Sequence, residues 1–411
     1  MSGVKFRWGA IASAVSALTL AACSGGDAPE PAATSSEPAT ETVSVGVLQS
    51  LTGTMAISEI TVKNASVMAI DEINAAGGVL GQTITTVVED GASEPSIFAQ
   101  KASKLIEDAE VATVFGGWTS ASRKAMLPVF ERTGNLLWYP VQFEGNECSA
   151  NIMYSGAQPN QQILPAFEWA AAEGYSNYYL VGSDYVFPRT ANLIVKKHIE
   201  AKELSVAGET YVPLGGTDFS GVIAKIHAAS PDIIFNTLNG DSNVAFFKQM
   251  KAAGVSLEDL PVMSFSIGEQ EAAAMGTELV EGSYATWNYF QSLDTPENAA
   301  FVSAYQSEFG ENAAITDPMV HGYLNVYAWK AAVEAAGSFE PDAVRAAVKT
   351  LGSFSTPMGE VSFASNQSLV QQAYIGKLNV EGQFDIIADS GEAIMPEPYD
   401  PLTFPGKTCE L

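Results

Sequence analysis

From residue 43 onward two hydrophobic patterns alternate along the chain. Short β-branched apolar runs read as buried strands: VSVGVL at 43–48, TITTVVED at 83–90, VATVFGG at 111–117 and NLLWYP at 135–140. Between them apolar residues recur at three- and four-residue spacing, which predicts helices over 62–76, about 95–108 and 121–133. Gly77-Gly78 closes the first of these. The alternation then repeats, with helices over 161–173, 188–202, 218–229 and 241–254 and strands over 178–184, 205–212, 231–238 and 261–266. Continuous apolar strands separated by helices predict parallel sheets covered on both faces, an α/β architecture. One core stops growing near 250–300 residues, so a chain of this length predicts two doubly wound lobes. The strand sets place crossings between lobes near 141–157, 281–291 and 338–345. The expected first lobe is 43–145 with 286–340. The expected second lobe is 146–285 with 341–395, finished by GEVSFA at 359–364 and AYIGKLNV at 373–380, and 396–411 is a tail.

The region before residue 43 has a different character. Lys5 and Arg7 precede an apolar stretch from about Ile11 to Leu20, followed by Ala21-Ala22. That is the layout of an export signal over 1–22, and its apolar core falls well short of the roughly 20 residues a membrane-spanning helix needs. Leu20-Ala21-Ala22-Cys23 resembles the lipobox of bacterial lipoproteins. The resemblance implies a lipid on Cys23 and a periplasmic protein anchored to the membrane rather than spanning it. Residues 23–42, almost free of large apolar side chains, read as a flexible tether.

Charge narrows the partners. Two of the 20 Lys and Arg lie in the leader, so 18 basic against 47 acidic residues leave −29 on the rest. Such a chain repels nucleic acid and anionic lipid. With 47% hydrophobic residues the acidity belongs to a folded surface. In an oxidising compartment Cys148 and Cys409 are expected to form a disulfide that ties the tail to the middle of the chain. There is no CxxC, and His198, His227 and His321 have no ligand spacing, so neither a metal nor a cofactor is expected.

Ligands of open α/β sheets bind beyond the carboxyl ends of the strands. Gly116 to Lys124 leaves a strand and enters a helix, with Trp118, Thr119 and Ser120 at the junction. Its hydroxyls and free N–H groups serve either as helix caps or as donors to an oxygen acceptor. Trp138 to Gly145, Ser183 to Arg189 and Asn236 to Ser242 end other strands with aromatic and polar residues, which suit packing or ligand contact.

Taken together, SLTGTMAISE (50–59), INAAGGVLG (73–81), VEDGAS (88–93), GWTSASRKA (117–125), YPVQFEG (139–145), LVGSDYVFPR (180–189), FNTLNGDSNVAFFKQ (235–249) and YFQSLDTPEN (289–298) carry a family resemblance. From about Val43 to its end the chain resembles the type I periplasmic binding proteins, and most of all the urea-binding components of ABC transporters. The resemblance implies two lobes on a three-crossover hinge, capture of urea between them, and delivery to an inner-membrane permease. It implies ligand contacts from Ser120, Tyr139, Gln142 and Tyr185, with Trp118, Thr119, Thr54, Asn239, Asp241 and Trp287 completing the set. Relatives that bind acetamide or formamide carry threonine and tyrosine where this chain has Val141 and Phe143, which favours urea.

Other classes compete less well. An exported amidase needs an activated nucleophile or a metal, and neither constellation is visible. The leader speaks against a cytoplasmic amide sensor. A receptor for branched-chain amino acids needs a carboxylate clamp, for which Ser120 is available, and an acid for the ammonium, for which Glu269 or Asp317 is available.

Overall fold

The computed structural model describes residues 41–411. The export signal, most of the tether and Cys23 lie outside the described residues. Among those described, no helix is long and apolar enough to cross a membrane.

The first lobe is built on a parallel five-stranded sheet of order β2-β1-β3-β4-β5. Its strands are β1 (Thr42–Gln49), β2 (Thr83–Asp90), β3 (Val114–Gly116), β4 (Leu137–Tyr139) and β5 (Ile152–Tyr154). Strand β1 pairs with β2 along its whole length, from Thr42 opposite Thr83 to Gln49 opposite Asp90. Helices α1 (Ala56–Ala75), α2 (Pro95–Ser103) and α3 (Ser120–Thr133) cover it. Helix α2 runs on as one wider turn over Lys104–Asp108. The β3–α3 turn depends on Gly116, which has φ 141° and whose absent Cβ would lie 2.0 Å from the Leu48 carbonyl oxygen.

The second lobe holds seven strands in the order β15-β14-β10-β9-β8-β6-β7. Strands β6 (Asn177–Ser183), β7 (Ser205–Val212), β8 (Ile233–Thr237), β9 (Val262–Ser264) and β10 (Tyr284–Trp287) are parallel. Helices α4 (Ile163–Ala172), α5 (Val186–Ala201), α6 (Ser220–Ala229), α7 (Asp241–Ala252) and α8 (Glu269–Met275) surround them. The chain then returns to the first lobe with α9 (Pro296–Phe309), α10 (Asp317–Ala336) and α11 (Pro341–Val348).

The α/β fold of parallel sheets and flanking helices is as expected from the pattern, but two lobe assignments are corrected. Residues 341–370 belong to the first lobe. Val344, Ala347 and Val348 of α11 join its core, as do Met358, Val361 and Leu369 from the small antiparallel sheet of β11 (Ser353–Thr356), β12 (Gly359–Phe363) and β13 (Leu369–Val370). The third crossing therefore lies between β13 and β14 (Tyr374–Leu378) rather than at 338–345. Strand β14 then adds antiparallel to β10, and β15 (Phe384–Asp389) adds antiparallel to β14 at the sheet edge. Likewise 146–154 stays with the first lobe, because β5 pairs with β4 from Leu137–Ile152 to Tyr139–Tyr154. An amphipathic helix or a three-residue strand shows which face it buries, not which core receives it.

The tail touches both lobes. Cys409 is bonded to Cys148, with Cα atoms 5.6 Å apart. The Asn146 N–H donates to the Pro398 carbonyl at 2.6 Å, and Asn366 Nδ2 to the Pro396 carbonyl at 3.0 Å, both from the first lobe. On the second lobe Asp400 pairs with His198 Nε2 of α5 at 2.9 Å, and Phe404 packs on the core of α4 and α5. A cross-link 261 residues apart removes about 5 kcal/mol of unfolded-chain entropy. Cys148→Ser is expected to lower the unfolding free energy by about 2–5 kcal/mol in non-reducing denaturant titrations. Reductant should then destabilise the wild type by the same amount and leave the variant unchanged.

Candidate functional site

The carboxyl ends of β1, β3 and β4 meet those of β6, β8 and β9 across a seam that is closed. Trp118 Nε1 donates to Asn239 Oδ1 at 3.3 Å. The Asp241 N–H reaches Thr54 Oγ1 at 3.1 Å and the Thr54 carbonyl at 3.3 Å. Gln142 Nε2 donates to the Phe265 carbonyl at 2.7 Å and to Ser266 Oγ at 3.2 Å. Each of these bonds joins one lobe to the other. Two surface depressions lie elsewhere, one lined by Phe247, Met250, Val255 and Val380, the other by Ala299, Val302 and Gln306.

The start of α3 is built with care for its free N–H groups. Thr119 caps it, accepting from the Ser122 N–H at 3.0 Å. Ser120 Oγ donates to Glu144 Oε2 and accepts from Arg123 Nη1, the latter at 3.0 Å. Arg123 has no solvent exposure. Its Nε lies 2.7 Å from Glu147 Oε1 and its Nη2 3.4 Å from Glu144 Oε1. Its guanidinium also lies over the rings of Phe143, at 4.4 Å, and Tyr139, at 4.9 Å. Lys124 adds a contact to Glu147 at 2.8 Å. Burial alone would push the Glu147 carboxyl up, but Arg123 and then Lys124 outweigh it and draw it down to about 2. Burial likewise works against the Arg123 charge, and Glu147 and Glu144 together overcome it.

The ten residues expected from the resemblance do not all converge. Tyr139 is fully buried and its hydroxyl donates to the Trp118 carbonyl. Tyr185 begins α5 on the other lobe, is half-buried, and has no side-chain hydrogen bond among the described residues. Burial first, then Tyr139, Glu144 and Glu59, push its phenol up, while Arg123 opposes them. Gln142 keeps Oε1 without a partner. Two of the ten point away from the seam or into a core. The Asp241 side chain is exposed, so only its backbone serves the seam. Trp287 donates to the Ile267 carbonyl at 2.8 Å and packs in the second core, where strand β10 lies between β9 and β14.

The pattern also missed the groups that hold this site together. Glu144 and Glu147 lie 21 and 24 residues beyond Arg123, a spacing that carries no local signal. Glu269 and Asp317 stand near the hinge. Glu269 is fully buried, accepts from the Gln291 N–H at 2.7 Å, and is pushed by burial to about 8. Asp317 accepts from the Asn288 N–H at 2.9 Å and faces His321 Nδ1 at 2.9 Å. Among the described residues no group of three His, Cys, Asp or Glu is placed to hold a metal.

Residues 43–404 match the family model of the periplasmic binding protein domain. The chain belongs to the periplasmic binding proteins. This binding protein is 26% identical over 328 residues to Leu/Ile/Val-binding protein homolog 2 of Brucella abortus (strain 2308), covering 78% of this chain and 86% of the relative. It is 25% identical over 329 residues to the leucine-, isoleucine-, valine-, threonine- and alanine-binding protein of Pseudomonas aeruginosa, covering 79% and 86%. Its fold is similar to that of a periplasmic binding protein from Burkholderia mallei, with TM-score 0.77 and 18% identity over 85% of this chain and 94% of the other. A solute-binding protein of an ABC transporter from R. palustris, in complex with 4-hydroxybenzoate, gives TM-score 0.76 and 24% identity over 86% and 98%. Membership makes this a periplasmic ligand-binding protein and not an enzyme.

Removing one partner of a buried ion pair costs about 3–5 kcal/mol, because the other charge is left uncompensated. Arg123→Leu is expected to lose about that much stability in denaturant titrations. Glu147 also sets a pH window. Its carboxyl is lower in the folded protein than the ordinary 4.5, so its contribution is complete above that value and disappears as pH falls toward about 2. Glu147→Gln should flatten the stability profile over that interval.

Proposed function

We propose that this binding protein captures urea between its lobes and delivers it to the inner-membrane permease of an ABC transporter, tethered to the membrane by a lipid on Cys23. The observation that carries this reading is the committed charge at the start of α3. Arg123 and Lys124 are both held by Glu144 and Glu147, and Ser120 is already bonded to the Glu144 carboxyl. A ligand carboxylate placed there would face a buried carboxylate and find its cations taken. A neutral ligand meets no such opposition. Urea offers four N–H donors and one carbonyl, which suits a seam with a buried Gln142 Oε1 that has no partner among the described residues.

Acetamide and formamide are neutral too. Where amide-binding relatives carry hydroxyls, Val141 and Phe143 are buried and apolar, and Phe143 stacks on Tyr154 with ring centroids 4.9 Å apart. A second reading, a branched-chain amino acid, draws support from the names of the relatives and from Glu269 Oε2, which is buried without a partner and suits an ammonium. The carboxylate clamp is the weak point, because Ser120 Oγ is already bonded to the Glu144 carboxyl.

Calorimetric titration of the purified protein with urea, acetamide, formamide and leucine tests the assignment. At a ceiling of about −1.5 kcal/mol per heavy atom, urea can reach about −6 kcal/mol, or tens of micromolar. Urea is expected near that limit and tighter than the amides. Tyr185→Phe, which removes a hydroxyl that makes no side-chain hydrogen bond among the described residues, should weaken urea by about five- to tenfold. Millimolar urea affinity, or a preference for leucine, rules the assignment out.

A further inference from the structure

Two buried side chains at the β1–α1 turn carry polar atoms that have no partner among the described residues. Gln49, the last residue of β1, has no solvent exposure, and neither its Oε1 nor its Nε2 is hydrogen-bonded. Glu59, in the first turn of α1, is equally buried. Its Oε2 accepts from the Ser50 N–H at 2.5 Å, and its Oε1 has no partner. Leaving a buried amide or carboxyl unsatisfied costs about 1–3 kcal/mol per group, and such groups cluster where something else completes them. The turn that carries them is part of the seam. Thr54 holds Asp241, and Gln270 Nε2 of α8 reaches the Ile57 carbonyl at 3.4 Å. Across the seam, Glu59 acts electrostatically on the Tyr185 phenol, which also feels Tyr139 and Glu144.

We propose that Glu59 and Gln49 are ligand-contacting residues that set specificity, Glu59 donating its O–H to the urea carbonyl and Gln49 Oε1 accepting an N–H from urea. The proposal rests on the urea reading above and deepens it. The carboxyl is in the right form to donate. Burial pushes it up to about 8, the Ser50 bonds oppose this, and Asp90 adds to it. The titratable groups around it are Asp90 at the end of β2, Lys63 one turn along α1, Tyr185 at the start of α5, and Glu271 of α8, which bonds Ser58. No cation is paired with Glu59 among the described residues.

The pair also separates urea from acetamide. Both offer a carbonyl to Glu59, but acetamide has a methyl where urea has its second amino group. Gln49 Oε1 would then stay unsatisfied in the acetamide complex, and sites built around a hydrogen bond reject analogues that lack it.

Titrations of the purified protein with urea and with acetamide between pH 6 and 9 test this. In the wild type, urea affinity should fall above about pH 8, approaching tenfold per pH unit as Glu59 loses its proton. Glu59→Gln keeps an N–H donor of the same shape. It should bind urea within about tenfold of wild type at pH 7 and lose the pH dependence. Glu59→Ala should weaken urea by at least about tenfold, and because it also strands the Ser50 N–H its unfolding midpoint is measured alongside. Gln49→Leu should bring the urea and acetamide affinities together. If Glu59→Gln keeps the wild-type pH profile, or Gln49→Leu the wild-type urea-to-acetamide ratio, the proposal is overturned and the urea reading stands. Should Glu59→Ala fail to fold, the Glu59→Gln profile decides. A wild type that does not bind urea overturns both.

Discussion

Arg123 is a full positive charge with no water around it, held by Glu147, Glu144 and Ser120 and faced by two aromatic rings. A guanidinium is stable in such a place only when its oxygens are fixed first. Here they come from the stretch that leaves β4, so the start of α3 and the 142–147 segment are locked to one another. That lock sets the position of Ser120, of Tyr139 and of the Trp118 carbonyl that Tyr139 binds. It also leaves the start of α3 with its cations neutralised. A cation that is already neutralised cannot attract an anion.

The seam is assembled from backbone and amide groups more than from charges. Thr54, Asn239 and Gln142 hold the lobes through a few hydrogen bonds of ordinary length. Bonds of this kind contribute about 1 kcal/mol each, so no single one of them holds the seam closed. The tail works differently. It is bonded to Cys148 on one lobe and set against His198 on the other, outside the three crossings. The hinge is thus joined by a fourth segment that the strand count does not reveal.

The alternation of strands and helices was legible because buried parallel strands must be apolar throughout, and helices on their faces must be apolar on one side. VSVGVL, TITTVVED and PDIIFNTL announce themselves in this way, and the structure places a strand in each. Strand β5 did not, because IMY is three residues long and its pairing with β4 is its main support. The assignment of α11 and the β11–β12 hairpin went to the wrong lobe for a related reason. Their apolar faces fit either core, and the choice falls to where the preceding α10 has left the chain.

What the sequence alone determined is the fold class, the succession of elements and the loops that meet at the cleft, since these depend on periodicity and on residues close together in the chain. The family resemblance added the names of Ser120, Tyr139, Gln142 and Tyr185. Tertiary structure decided the rest. It committed Ser120 to Glu144, turned Asp241 outward, drew Trp287 into a core, and left Gln49 and Glu59 buried without partners. Each of these outcomes depends on groups tens of residues apart competing for the same hydrogen bonds and the same dry volume. That competition exists only once the chain has folded.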